Sequence, residues 1–155
     1  MTKTLKIGDK IPKFSLNLSN DTVINSKNLI GNTYVIYFYP KDNTPGCTNE
    51  AKDFSSLFKD FKNLNVEIIG ISKDSIKTHQ NFIEKHKLKI KLGSDQEGKV
   101  IEKFGVWVEK KMYGRIYMGI ERSSFLISDK GKIENIWRKV KVKGHAKEVY
   151  ERISC

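Results

Sequence analysis

The chain has 155 residues, 38% hydrophobic and 30% charged, which is enough apolar material for one buried core and excludes a disordered or fibrous chain. Its longest apolar runs, such as Tyr34–Tyr39, fall far short of the roughly 20 residues a membrane span requires, and no leader-like apolar stretch stands near Met1, so a cytosolic, cytoplasmic protein is expected. The net charge of +11 comes mostly from lysines spread along the chain without interleaved aromatics, so weak salt-sensitive adhesion to nucleic acid is expected but not specific recognition.

In chain order, Phe14–Leu18 and Thr22–Asn25 alternate with period two around Ser19–Asp21 and predict a small hairpin. Thr33–Tyr39 is a near-continuous apolar run bounded by Gly31-Asn32 and Pro40, suited to a central strand. From Thr48 to Asn63, Ala51, Phe54, Leu57, Phe58 and Phe61 recur at three- and four-residue steps, the pattern of one amphipathic helix. Val66–Ser72 reads as a second buried strand, and Asp74 and Ser75 as caps of a helix running to about His86. A short strand near Ile90–Leu92 and a short helix over Gly98–Phe104 follow. Ser123–Ser128 and Ile133–Arg138 flank Asp129–Lys132 as a second hairpin, and a helix from about His145 to Ile153 closes the chain. This order predicts an α/β, thioredoxin-like fold: a central mixed sheet flanked by helices, with an N-terminal β-hairpin, in one domain over residues 1–155.

The two cysteines, Cys47 and Cys155, are too far apart in sequence for a Cys-x-x-Cys pair or a zinc cluster. Cys155, at the end of the chain, is expected to be exposed. Cys47 is different. It follows the rigid segment Pro40–Gly46 and falls in the first turn of a helix, where unpaired N–H groups and the helix dipole favour a thiolate. Such a loop is a poor place to hide a side chain, so an accessible, reactive thiol is expected.

A nucleophilic thiol also needs donors for the oxygen it attacks. Thr44 stands three residues before Cys47, with its hydroxyl able to turn toward a substrate oxygen. Pro40 and Pro45 fix φ and lower the entropy cost of ordering the loop. A guanidinium would complete the site. Arg115, Arg122, Arg138 and Arg152 are the candidates, and Arg122, opening the strand at 122–128, is placed to aim across the sheet end toward Cys47. His79, His86 and His145 read as solvated helix-face residues. Trp107 and Tyr113 are candidates for pocket walls or for core.

The segment Phe38-Tyr-Pro-Lys-Asp-Asn-Thr-Pro-Gly-Cys-Thr48, followed by Glu50 and Ala51, resembles the active-site segment of the peroxiredoxins, in particular the peroxiredoxin Q or bacterioferritin-comigratory-protein group. The likeness extends through Gly8–Phe14, Val66–Asp74, Asp95–Gly98, Phe104–Trp107, Lys110–Gly114 and Gly119–Ile127, and the arginine of the last segment falls on Arg122. The resemblance implies an antioxidant thiol peroxidase without metal, haem or flavin. Cys47 would attack hydrogen peroxide or an alkyl hydroperoxide and become a sulfenic acid, which thioredoxin or another thiol would reduce. It also implies a monomer, with a dimer as the alternative. Glu50 would sit in the first helical turn in a structural role.

One departure stands out. Many members of the group carry a resolving cysteine five residues after the first, and here that position is Lys52. Direct reduction by an external thiol is therefore expected, with internal recycling through Cys155 as the alternative. A rival function, a basic nucleic-acid-associated or redox-sensing protein, rests on the charge alone.

Overall fold

The structure is a computed structural model that describes residues 4–154. Its elements are β1 (Ser15–Leu18), β2 (Val23–Asn25), β3 (Thr33–Phe38), α1 (Pro45–Ser56), α2 (Phe58–Asn63), β4 (Val66–Ser72), α3 (Ile76–His86), β5 (Lys91–Ser94), α4 (Lys99–Lys103), β6 (Trp107–Met112), β7 (Arg115–Ile120), β8 (Ser123–Ile127), β9 (Ile133–Trp137) and α5 (His145–Ser154).

Seven strands form one sheet in the order β2-β1-β5-β4-β3-β8-β9. The two crossovers make β3, β4 and β5 parallel, whereas β8 and β9 are joined by a hairpin and run antiparallel on the other side of β3. β3 is the middle of this arrangement, and its residues from Tyr34 to Phe38 are all buried, as expected for a strand covered on both faces. Its side chains alternate between two cores. Tyr34, Ile36 and Phe38 pack with Phe104, Val106 and Phe125 on the α4 side. Val35, Tyr37 and Tyr39 pack with Phe54, Phe61, Phe82 and Val149 under α1, α2, α3 and α5. The mixed sheet flanked by helices and the N-terminal hairpin agree with the thioredoxin-like expectation.

Two local expectations need correction. The helix starts at Pro45, with Cys47 in its first turn as expected, but the single amphipathic helix predicted to run on to Asn63 breaks at Leu57 (φ −97°, ψ 9°) into α1 and α2. Ser56 Oγ donates to the Asp53 carbonyl at 2.8 Å and competes with the helical ladder where the break occurs. The second correction is the β6–β7 ribbon, which carries no strand in the sequence reading. Its turn places Tyr113 (φ 51°) and Gly114 (φ 78°) in left-handed conformations, the geometry of a two-residue hairpin turn.

Candidate active site

The sheet ends in the cysteine loop. After Phe38 the chain runs through Tyr39 and Pro40 into a turn whose Asn43 takes a left-handed φ of 66°, tolerated by a short polar side chain. Thr44, in extended conformation, is the N-cap of α1, followed by Pro45, Gly46 and Cys47 as its first three residues. The first intrahelical bond runs from Thr48 N–H to the Thr44 carbonyl at 2.9 Å. The Thr44 side chain does not cap the helix; its hydroxyl donates to the Lys41 carbonyl at 2.8 Å. The Gly46 and Cys47 N–H groups therefore have no helical acceptor and stay available to an oxygen bound beside the thiol.

Arg122 immediately precedes β8, which pairs with β3, and this pairing brings its guanidinium to the cysteine. Nη2 donates to Cys47 Sγ at 3.2 Å, and Nη1 donates to Glu50 Oε1 at 2.6 Å. Gly46 lies beside the guanidinium: a Cβ at that position would make ordinary contact with Arg122 Nη2, at 3.4 Å. Glu50 is buried to 1% exposure, and its second oxygen has no partner among the described residues. Burial pushes the Glu50 carboxyl up to about 7, with Arg122 pulling the other way. Burial also works against the Arg122 charge, but Glu50 and the Cys47 sulfur outweigh it and hold the guanidinium above its ordinary value. Lys110 on β6 senses the same site: burial, then the Arg122 charge, pushes its ammonium down.

The structure thus brings Cys47 and Arg122 together and places Pro40 and Thr44 at the two ends of the connecting turn. Several expectations change. Cys47 is only 1% exposed, because Tyr37, Tyr39, Phe54 and Ala51 close around the start of α1. Glu50 is the sixth residue of α1, not a first-turn residue, and it is engaged by Arg122. Tyr113 is 98% exposed at the tip of the β6–β7 turn and walls nothing, whereas Trp107 is half-buried with Lys73 Nζ 4.6 Å from its ring centre. Cys155 lies outside the described residues.

The histidines also differ from the expectation of solvated positions. His145 is buried, with Nε2 2.7 Å from Ser124 Oγ, and burial lowers its pKa. His86 is half-buried with its ring against Phe82. His79 is wholly buried, bonded to Asp42 Oδ2 at 2.6 Å and to the Gly93 carbonyl at 2.9 Å. The sequence carried a signal for His79: it lies three residues before Phe82 on one face of α3, and Phe82 is an anchor of the core.

A sulfur gripped by a guanidinium at a helix N-terminus, on a thioredoxin-like sheet, defines a class of thiol-dependent oxidoreductases. The AhpC/TSA family profile matches residues 7–136. The peroxiredoxin Bcp of Bacillus subtilis is 45% identical over 150 residues, 97% of this chain and 96% of its own. That of Escherichia coli is 41% identical over 141 residues, 91% of this chain and 90% of its own. Among solved structures, a PrxQ of Xylella fastidiosa superposes with a TM-score of 0.92 at 38% identity, covering 98% of this chain and 97% of that one. The Xanthomonas campestris bacterioferritin comigratory protein, solved in complexes bearing on its alkyl peroxide reduction activity, gives 0.87 at 43% identity, covering 91% and 90%. The chain belongs to the AhpC/TSA family, within its peroxiredoxin Q and Bcp group, and is a thiol peroxidase. As in that family, it acts on hydroperoxides with a thiol reductant.

Proposed function

We propose that Cys47 is the peroxide-attacking residue, that Arg122, Thr44 and Pro40 build its substrate site, and that an external thiol recycles it. The observation that carries the reading is the bond from Arg122 Nη2 to Cys47 Sγ at 3.2 Å. A permanently charged guanidinium at that distance stabilises the thiolate and remains in place as negative charge moves onto the peroxide.

In the first half-reaction the Cys47 thiolate attacks one peroxide oxygen and the O–O bond breaks. That oxygen becomes the sulfenic acid, and the other departs with the electron pair, taking a proton to leave as water or an alcohol. The Gly46 and Cys47 N–H groups and Arg122 oppose the charge that develops on oxygen. With its own proton on the Lys41 carbonyl, the Thr44 hydroxyl presents lone pairs to the hydroperoxide O–H. Pro40 fixes the entry of the loop. Hydrogen peroxide and alkyl hydroperoxides are the substrates, the latter supported by the described activity of the Xanthomonas campestris relative.

In the second half-reaction a thiol condenses with the sulfenic acid, releasing water and forming a mixed disulfide. A second thiol, as in thioredoxin, then displaces Cys47. Lys52 favours this external route. It lies on the exposed side of α1, about 7.5 Å along and about 140° around the helix from Cys47, and it offers no thiol. We read the protein as a cytoplasmic monomer of one domain.

The test is peroxide-dependent oxidation of a thiol donor. Cys47→Ser should abolish it and Arg122→Ala should lower it about 100-fold or more, on the scale of losing one oxyanion donor. Undiminished turnover in Cys47→Ser would reject the assignment.

A further inference from the structure

A thiol that is 1% exposed cannot be reached by a thiol on another protein, so the loop that closes over peroxide has to open for recycling. The position of Asp42 shows what keeps it shut. Asp42 is the third residue of the Pro40–Cys47 loop and is 3% exposed. Its Oδ1 accepts from Tyr39 OH at 2.5 Å and its Oδ2 from His79 Nδ1 at 2.6 Å. Its backbone N–H donates to Asp74 Oδ2 at 2.8 Å.

Each of those partners is anchored in the scaffold. His79, on α3, donates Nε2–H to the Gly93 carbonyl of β5 at 2.9 Å. Asp74 accepts from Ser72 Oγ at 2.6 Å at the end of β4, and its carbonyl accepts from Ser94 Oγ at 2.6 Å. Both nitrogens of the His79 ring face oxygen partners, Asp42 Oδ2 and the Gly93 carbonyl. The loop is thereby bolted to β4, α3 and β5. A buried pair of this kind is costly to break on one side, because the remaining polar group is left unpaired.

We propose that the Asp42–His79 pair is a positioning clasp. It holds the Pro40–Cys47 loop in its closed, peroxide-competent form and sets how often the loop opens to admit a reductant. The proposal rests on Cys47 as the peroxide-attacking thiol. His79 touches neither peroxide nor sulfur; it acts through Asp42 and the loop. The neighbouring Asp74 also contributes, through the Asp42 N–H.

The experiment measures two rates on the full-length protein: single-turnover oxidation of reduced Cys47 by hydrogen peroxide, and alkylation of Cys47 by iodoacetamide, located by peptide mapping. Asp42→Asn, His79→Gln and the double variant should each oxidise about tenfold more slowly and alkylate about tenfold faster, as expected for losing one charge-assisted buried bond. The double variant should be no worse than the stronger single one, because both remove the same contact. A merely structural role would move both rates in the same direction. Unchanged rates in folded His79→Gln, or two rates falling together, would overturn the clasp. Should the buried variants not fold, Tyr39→Phe removes one bond to Asp42 and should shift the two rates in the same opposite senses by a smaller factor; no shift there would overturn the proposal equally. Peroxide oxidation retained in Cys47→Ser would instead reject the assignment of the thiol and leave the clasp without an object.

Discussion

Buried Glu50 and part-buried Arg122 form an ion pair at 2.6 Å, and the same guanidinium reaches Cys47, so the carboxylate fixes the direction in which the arginine points. Glu50 is thus a positioning group in the second turn of α1, one turn below the thiol. Replacing it with alanine leaves the guanidinium free to swing and removes its counter-charge. Peroxide turnover should fall about 10- to 100-fold, the scale of a lost charge-assisted bond, while Cys47 itself is intact. Steady-state assays with a thiol donor would measure this, and full activity in Glu50→Ala would deny the positioning role.

The same residue sets a pH dependence. Burial pushes the folded Glu50 up to about 7, against 4.5 for the ordinary carboxyl. The folded state therefore binds the proton more tightly than the unfolded state, and stability declines as pH rises between those two values. The loss over that window should be on the order of 3 kcal/mol, the opposing pull of Arg122 being already contained in the shift. Urea denaturation from pH 4.5 to 7 should show this slope, and Glu50→Gln should flatten it.

Tyr37 yields a prediction of the opposite sign. Its hydroxyl is buried without a partner among the described residues, and burial, reinforced by Glu50 and Cys47, pushes its pKa well above the ordinary value. An unpaired buried hydroxyl costs stability, so Tyr37→Phe should leave the midpoint of thermal unfolding unchanged or raise it, worth up to about 1 kcal/mol. The ring, stacked on Phe54 with centroids 4.7 Å apart, is kept. A clear loss of stability would mean that the hydroxyl has a partner.

Gly70 on β4 lies against that ring. A Cβ there would stand 2.6 Å from Tyr37 Cζ, in a fully buried site with no flexible end to move. Gly70→Ala should therefore destabilise by about 1–3 kcal/mol, the usual cost of overpacking. Thermal unfolding would register the loss; unaltered stability would show that the ring can shift.

Much of this was legible in the sequence because local signals agreed. The run from Thr33 to Phe38 could only be a covered strand, and Pro45-Gly46-Cys47 marked a helix start. Position made Arg122 one of four candidate arginines and the family resemblance singled it out; the pairing of β8 with β3, which carries it to the loop after β3, came only with the structure. The missed parts depend on contacts distant in sequence. Asp42 and His79 are 37 residues apart, and nothing local in Lys41-Asp42-Asn43 announces a buried carboxylate. The burial of Cys47 depends on Tyr37 and Tyr39 projecting from β3 toward α1, which periodicity shows only once the partner helix is known. The β6–β7 ribbon hid behind its composition: Met112, Tyr113, Ile116 and Met118 are exposed, so the strands lack a buried alternating face.

The most direct test is intact-mass analysis of the reduced protein after one equivalent of hydrogen peroxide, with peptide mapping of the oxidised residue. Cys47 should gain one oxygen as the sulfenic acid in the native protein, and the same treatment of Cys47→Ser should consume no peroxide at a comparable rate. Oxygen found first on another residue, or peroxide consumption undiminished in Cys47→Ser, would contradict the account.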